Sequence, residues 1–260
     1  MLSGVLFDLG STLQEYRNED WAALNLELSR GLYAYIEERG YGRHLPPLDE
    51  FIEMMQTSTQ ERWKEARETM RGRPLLDLLQ PMFDSFGIED LQPEECLLPW
   101  YGRVTGNVYV EPDVRPTLEA LRDRGLKLGL VSNTSWPAAA HDPDLERLGI
   151  IDLLPCRFYS CEVGWEKPAP QIFHTALECL ALPPEEVAFV GDFLRYDVKG
   201  AHGVGMKGIW KKVPGRPLEL DDQTIIPDAT IVHIGDLPGV LDELYDDGRP
   251  TTDDGVKRET

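Results

Sequence analysis

The 260-residue chain is poor in cysteine, in basic charge and in long apolar runs, and each scarcity closes off a class of function. Its four cysteines, Cys96, Cys156, Cys161 and Cys179, form no CxxC pair and no Cys/His cluster of zinc-site spacing, so buried free thiols are expected rather than a zinc centre. The histidines, His44, His141, His174, His202 and His233, are scattered, which suits packing or surface positions better than ligation. No apolar run is long enough to cross a bilayer, and MLSGVLFDLG meets Asp8 too early for a signal peptide. A cytoplasmic location without a membrane partner is the resulting expectation. Lysine and arginine number 26 against 46 aspartates and glutamates, a formal net charge of -20, whose field repels phosphate backbones and makes nucleic acid an unexpected partner. An anionic small substrate meets the same repulsion, so a metal ion or a cluster of donors has to reverse the sign where it binds.

What the chain does have is enough apolar content, 42%, to bury a full core. Short apolar runs end abruptly in polar residues: Val5 to Phe7 before Asp8, Leu128 to Val131 before Ser132, and Val187 to Val190 before Gly191 and Asp192. They read as buried parallel strands, with weaker candidates at 157–160, 208–211 and 230–233. EPDVRPTLEALRDRG, DPDLERLG and PQIFHTALECLAL carry helical spacing between them, with Gly125 as a stop for the first. Strand and helix alternate, which predicts an α/β fold with a Rossmann-like parallel sheet as its core. Residues between the first two strands differ: Trp21, Leu24, Leu28, Leu32 and Ile36, then Phe51 and Met55, then PLLDLLQPMFDSFG are spaced as helices alone. The expected organisation is a discontinuous core, 1–15 and 107–245, an all-helical insertion at 16–106 able to act as a lid, and an unstructured tail at 246–260.

In open α/β sheets ligands bind beyond the carboxyl ends of the strands, so Asp8, Ser132 and Asp192 should converge on one crevice. Two carboxylates together repel unless a cation lies between them, and an oxygen-lined site suits Mg²⁺, which would also draw in a phosphate.

These residues sit in four segments that together resemble the haloacid dehalogenase-like (HAD) superfamily, in its order and over nearly all of the chain outside the insertion. FDLGSTL resembles the first motif, which implies Asp8 as nucleophile; LVSNT resembles the second, which places the phosphoryl-binding hydroxyl on Ser132. The third implies Lys167, in VGWEKPAPQIF, and the fourth, VGDFLRYDVKGAHGVGM, implies Asp192 and Asp197. The insertion resembles the small helical cap of the C1-type branch. The resemblance implies a Mg²⁺-dependent phosphatase for a small phosphorylated substrate. Asp8 would form an aspartyl-phosphate, splitting one hard displacement into two easier ones. Lys167 and Mg²⁺ would neutralise the transferring oxygens, while Ser132 and main-chain N–H groups of Leu9 to Thr12 and Asn133 hold them in line. Mg²⁺ would sit between Asp8 and Asp192, with the carbonyl of Gly10 as a further ligand. Asp197 lies either in the metal's outer shell or against Lys167.

The chain departs from the pattern at Gly10, where the family usually has a second aspartate that protonates the leaving group and then activates water. Such assistance is worth roughly 10²- to 10⁴-fold. Ser11 also replaces a usual glycine, and Ala169 a common aspartate. Three readings stay open: a phosphatase for substrates with good leaving groups, a weakly active or inactive protein that binds a phosphorylated ligand or protein partner, and a carbon–halogen hydrolase. The run from Glu61 to Arg73 is basic and reads as a solvated helix face and end, or as a grip on substrate. Substrate identity and oligomeric state are left open by a single sequence.

Overall fold

The computed structural model describes residues 1–17 and 20–245. Its strands are β1 (Gly4–Phe7), β2 (Glu15–Tyr16), β3 (Val108–Tyr109), β4 (Lys127–Ser132), β5 (Cys156–Tyr159), β6 (Val187–Gly191), β7 (Lys207–Lys211) and β8 (Ala229–Ile231). Six of them make one sheet in the order β5-β4-β1-β6-β7-β8, every pair parallel. Alternate residues face opposite layers: Val5, Phe7, Ala188 and Val190 pack under the helices Val114–Asp123 and Leu237–Tyr245, while Leu6, Val187 and Phe189 pack under Pro170–Leu180 and Lys199–Val204. Burial on both faces is why β1 and β6 read as unbroken apolar runs. Phe7 is opposite Leu130 on one side and Val190 on the other, so the chain leaves β1 at Asp8 between the ends of β4 and β6. The strand order reverses at this point, which opens a crevice there.

The insertion is helical as expected, with α1 (Trp21–Ile36), α2 (Leu48–Thr69), α3 (Leu79–Phe86) and α4 (Pro93–Thr105). Asp20 opens α1 by accepting from the Ala23 N–H at 2.9 Å. The four helices close around their own core, which includes Leu28, Leu32, Ile36, Phe51, Phe83 and Trp100. Two features were not expected. The insertion is entered and left through a short antiparallel ribbon, Glu15 opposite Tyr109 and Tyr16 opposite Val108. Two-residue strands carry no alternation for a pattern to register. The cysteines also need correction: Cys156 and Cys179 form a disulfide, and only Cys96 and Cys161 are free and buried. The pair lies 23 positions apart, and the packing of helix Pro170–Leu180 beside β5 brings their Cα atoms to 6.1 Å. The tail expected at 246–260 lies outside the described residues. Among the described residues no helix is long and apolar enough to cross a membrane.

The insertion meets the core where the chain leaves α2. Glu166 N–H donates to Met70 O and Leu75 N–H to Ser135 O, both at 2.9 Å, and between them Gly72 lies so close to the Ser160 carbonyl that a methyl group has no room. Gly72→Ala should therefore lower stability by about 1 to 3 kcal/mol, through forced separation of the two surfaces. Gly102→Ala, in α4 with open space around it, should raise stability by about 0.5 to 1 kcal/mol. Urea denaturation of both variants beside the parent checks the contrast.

Candidate active site

Asp8, Ser132, Lys167, Asp192 and Asp197 are all buried, and the fold brings the charged ones together. Lys167 comes from the loop before helix Pro170–Leu180, and its Nζ lies 2.6 Å from Asp8 Oδ1 and 2.7 Å from Asp197 Oδ1. The side chain of Asn133 fixes the backbone of this lysine, donating from Nδ2 to Lys167 O at 2.9 Å and accepting from Lys167 N–H at 2.7 Å. Asp197 is held from its other oxygen by the Phe193 N–H at 2.9 Å. Ser132 ends β4 one strand away from Asp8. Leu9 and Thr12 belong to a tight turn after Asp8, in which the N–H groups of Leu13 and Gln14 donate to Leu9 O at 3.0 and 2.9 Å and that of Thr12 at 3.3 Å. Ser11 takes φ 56° in this turn, the left-handed region that a glycine would enter without strain.

One carboxylate oxygen from each of Asp8, Asp192 and Asp197 lies within 4.8 Å of the others. Burial, then Asp8 and Asp197, hold Asp192 well above the usual carboxylate range, with Arg216 opposing. Burial lifts Asp197 to about 6, with Lys167 pulling the other way. Burial alone would discharge Lys167, but Asp197 and Asp8 outweigh it and hold its pKa above the ordinary lysine value. Three buried carboxylates thus face two cations, Lys167 and Arg216, and the excess is negative. Clustered hard oxygen donors with uncompensated charge are a donor set that fits Mg²⁺.

Several residues at or near the crevice carried no signal in the sequence. Arg216 reaches back from the chain after β7 to place Nη1 2.5 Å from Asp192 Oδ2, with its guanidinium 4.5 Å from the centre of the Phe193 ring. Lys211, at the end of β7, donates to Ser11 O and to Glu15 Oε1, both at 2.8 Å, and so ties the turn after Asp8 to the ribbon. Tyr16 stands on that ribbon, edge-on to Trp21 at 4.8 Å; burial first, then Asp8, push its hydroxyl up to about 12, so it stays protonated. The basic run lies near the core on one side, with the Arg71 guanidinium 3.6 Å over the Trp165 ring. His141 is structural: buried, stacked on Tyr159, it joins Thr134 Oγ1 at 3.0 Å to Tyr101 Oη at 3.2 Å, and Tyr101 donates to Asp144 at 3.1 Å.

At the carboxyl edge of the parallel sheet an acidic trio thus lies beside a buried lysine. The family model for haloacid dehalogenase-like hydrolases matches residues 2–205, and the chain belongs to that family. It is 39% identical over 137 residues to a glyceraldehyde 3-phosphate phosphatase of Methanopyrus kandleri, a match covering 52% of this chain and 58% of that one. The chain thus spans little more than half the length of that relative. A phosphoglycolate phosphatase of Salmonella choleraesuis is 31% identical over 217 residues, 80% of each chain. The crystal structure of a HAD phosphatase from Thermococcus onnurineus superposes with a TM-score of 0.61 at 28% identity, covering 92% of this chain and 98% of the other.

Lys167→Met should lower stability by about 3 to 5 kcal/mol at neutral pH, because it leaves Asp8 and Asp197 buried without their shared cation. Adding Asp197→Asn should recover part of the loss, as measured by urea denaturation. The pH dependence should carry the mark of His141, which burial depresses from 6.5 to about 4. Between those values the unfolded chain binds the extra proton, so the contribution of neutral His141 is complete above pH 6.5 and is lost as pH falls towards 4. Relative to His141→Gln, the parent should lose about 2 kcal/mol between pH 7 and pH 5 in paired urea titrations.

Proposed function

We propose that this protein is a Mg²⁺-dependent phosphatase that hydrolyses a small phosphorylated metabolite through an aspartyl-phosphate on Asp8. The observation that carries the reading is the placement of Lys167 Nζ against both Asp8 and Asp197 at the switch point of the sheet, with Asp192 beside them. In this reading an Asp8 oxygen attacks phosphorus while Lys167 neutralises charge on the transferring oxygens. The Ser132 hydroxyl and the main-chain N–H groups of Leu9, Thr12 and Asn133 hold those oxygens in line. Asp8, Asp192, the Gly10 carbonyl and Asp197, directly or from the outer shell, would hold Mg²⁺, whose positive charge offsets the carboxylate excess and admits an anionic substrate. The four-helix insertion acts as a cap over the crevice. Names of two relatives, glyceraldehyde 3-phosphate phosphatase and phosphoglycolate phosphatase, support acyclic phosphate monoesters as the substrate class.

Gly10 favours a second reading, a weak or inactive member that binds a phosphorylated ligand, because the side chain that usually transfers the proton is missing. The carbon–halogen reading draws less support, since halide displacement has no use for an acidic trio that wants a divalent cation. Phosphate release from a panel of acyl, sugar, alkyl and aryl phosphates separates these readings. Turnover should require Mg²⁺, stop with EDTA, and fall at least about 10³-fold in Asp8→Asn. Equal silence of the parent and Asp8→Asn across the panel would leave the binding reading.

A further inference from the structure

The space that the absent aspartate side chain would need is taken. A Cβ built on Gly10 meets the Tyr16 hydroxyl oxygen at 2.9 Å, then Tyr16 Cε2 at 3.6 Å and Cζ at 3.7 Å, and no other residue comes as close. Tyr16 is six positions along the chain, but the turn at 9–14 folds it back, with Ser11 N–H donating to Gln14 O at 2.6 Å. Three contacts hold it there: the pairing of Tyr16 with Val108, the edge of Trp21, and the Lys211 bond to neighbouring Glu15. Among the groups around Asp8, Lys167 is committed to two carboxylates and Asp192 to Arg216, so neither is placed to give a proton to a departing oxygen.

We infer that Tyr16 supplies from the ribbon the proton transfer that Gly10 cannot, as a catalytic residue of the same site. The inference rests on the phosphatase reading. In the first step an Asp8 oxygen bonds to phosphorus, the bond from phosphorus to the substrate's ester oxygen breaks, and that oxygen takes the phenol proton and leaves as an alcohol. In the second, a water oxygen bonds to phosphorus, its proton returns to the Tyr16 oxygen, and the Asp8–phosphorus bond breaks to give carboxylate and inorganic phosphate. Nothing beyond substrate and water is consumed. The arrangement removes the expectation of good leaving groups only, since alkyl esters depart with a donor at hand.

The test is a leaving-group series on the Mg²⁺-loaded enzyme, from nitrophenyl phosphates to alkyl phosphates, with Tyr16→Phe. Its kcat/KM should fall roughly 10²-fold or more for alkyl esters and stay near the parent's for nitrophenyl esters, whose oxygen needs no proton to leave. Acid-quenched Tyr16→Phe should also hold more phosphoenzyme than the parent, because the second step has lost its base. Gly10→Asp with Tyr16→Ala, which puts a carboxyl group into the vacated space, should restore alkyl turnover above that of Tyr16→Ala alone. A loss of equal size across the series, or no loss, overturns the role of Tyr16 and leaves it as packing. If instead Asp8→Asn turns over like the parent, the phosphatase reading itself fails, whatever Tyr16→Phe shows.

Discussion

Lys167 keeps its charge where water reaches 2% of its side chain. Taking an ammonium group out of water costs several kcal/mol, which only close anionic partners with good geometry can offset. Asp8 and Asp197 provide them at 2.6 and 2.7 Å, one from the end of β1 and the other from the helical turn beyond β6. The lysine comes from a third direction, the loop after β5, and Asn133 at the end of β4 fastens its backbone by both amide atoms. Four chain segments that are distant in sequence therefore converge on one ammonium group. The parallel sheet is what delivers them to the same edge, and the reversal of strand order at β1 is what leaves room between them.

The same group sets the limits of the crevice as a charged object. Lys167 and Arg216 do not balance three carboxylates, and Asp192 feels this most, since burial, Asp8 and Asp197 all disfavour its ionised form. Arg216 reduces that strain at one carboxylate oxygen of Asp192, Oδ2, and also donates to its backbone carbonyl. In a chain of net charge -20 the crevice thus concentrates negative charge, yet by the phosphatase reading an anion has to enter it. A divalent cation would resolve both demands at once, so that in the proposed reading the donor set and the substrate class support each other.

Much of this was legible in the sequence, for identifiable reasons. The core strands are buried on both faces, so the runs Val5 to Phe7 and Val187 to Val190 stand out, and a polar residue at the end of such a run falls on the carboxyl edge of the sheet. The helical insertion was legible from its 3.6-residue spacing. The ribbon was not, because two-residue strands have no period, so Glu15 fell at the end of the first core segment and Tyr16 at the start of the insertion. Arg216 and Lys211 reach the site from the far end of the chain by tertiary packing alone, 208 and 203 positions after Asp8 in number. Cys156 and Cys179 pair for the same kind of reason: a helix and a strand had to be docked before their distance meant anything.

The replacement of a carboxyl group by a phenol near Gly10 has its own electrostatic logic. A further aspartate would place a fourth acid beside Asp8, Asp192 and Asp197, and like charges at that range raise one another's pKa and lower the share that is ionised. A phenol adds no charge while protonated, so it does not enlarge the excess that the trio already carries over its two cations. Its weaker acidity makes it the poorer donor to a departing oxygen, but the phenolate it leaves is the stronger base towards water, and the two steps are served in opposite proportion to a carboxyl group. The position on the ribbon also matters. Tyr16 packs against the helical insertion, whereas Asp8 and Asp192 extend directly from the sheet, so the proton and the nucleophile are held by different parts of the chain. With an aspartate at position 10 both would ride on the same turn; with Tyr16, proton transfer depends on the ribbon and the helices being seated against the core.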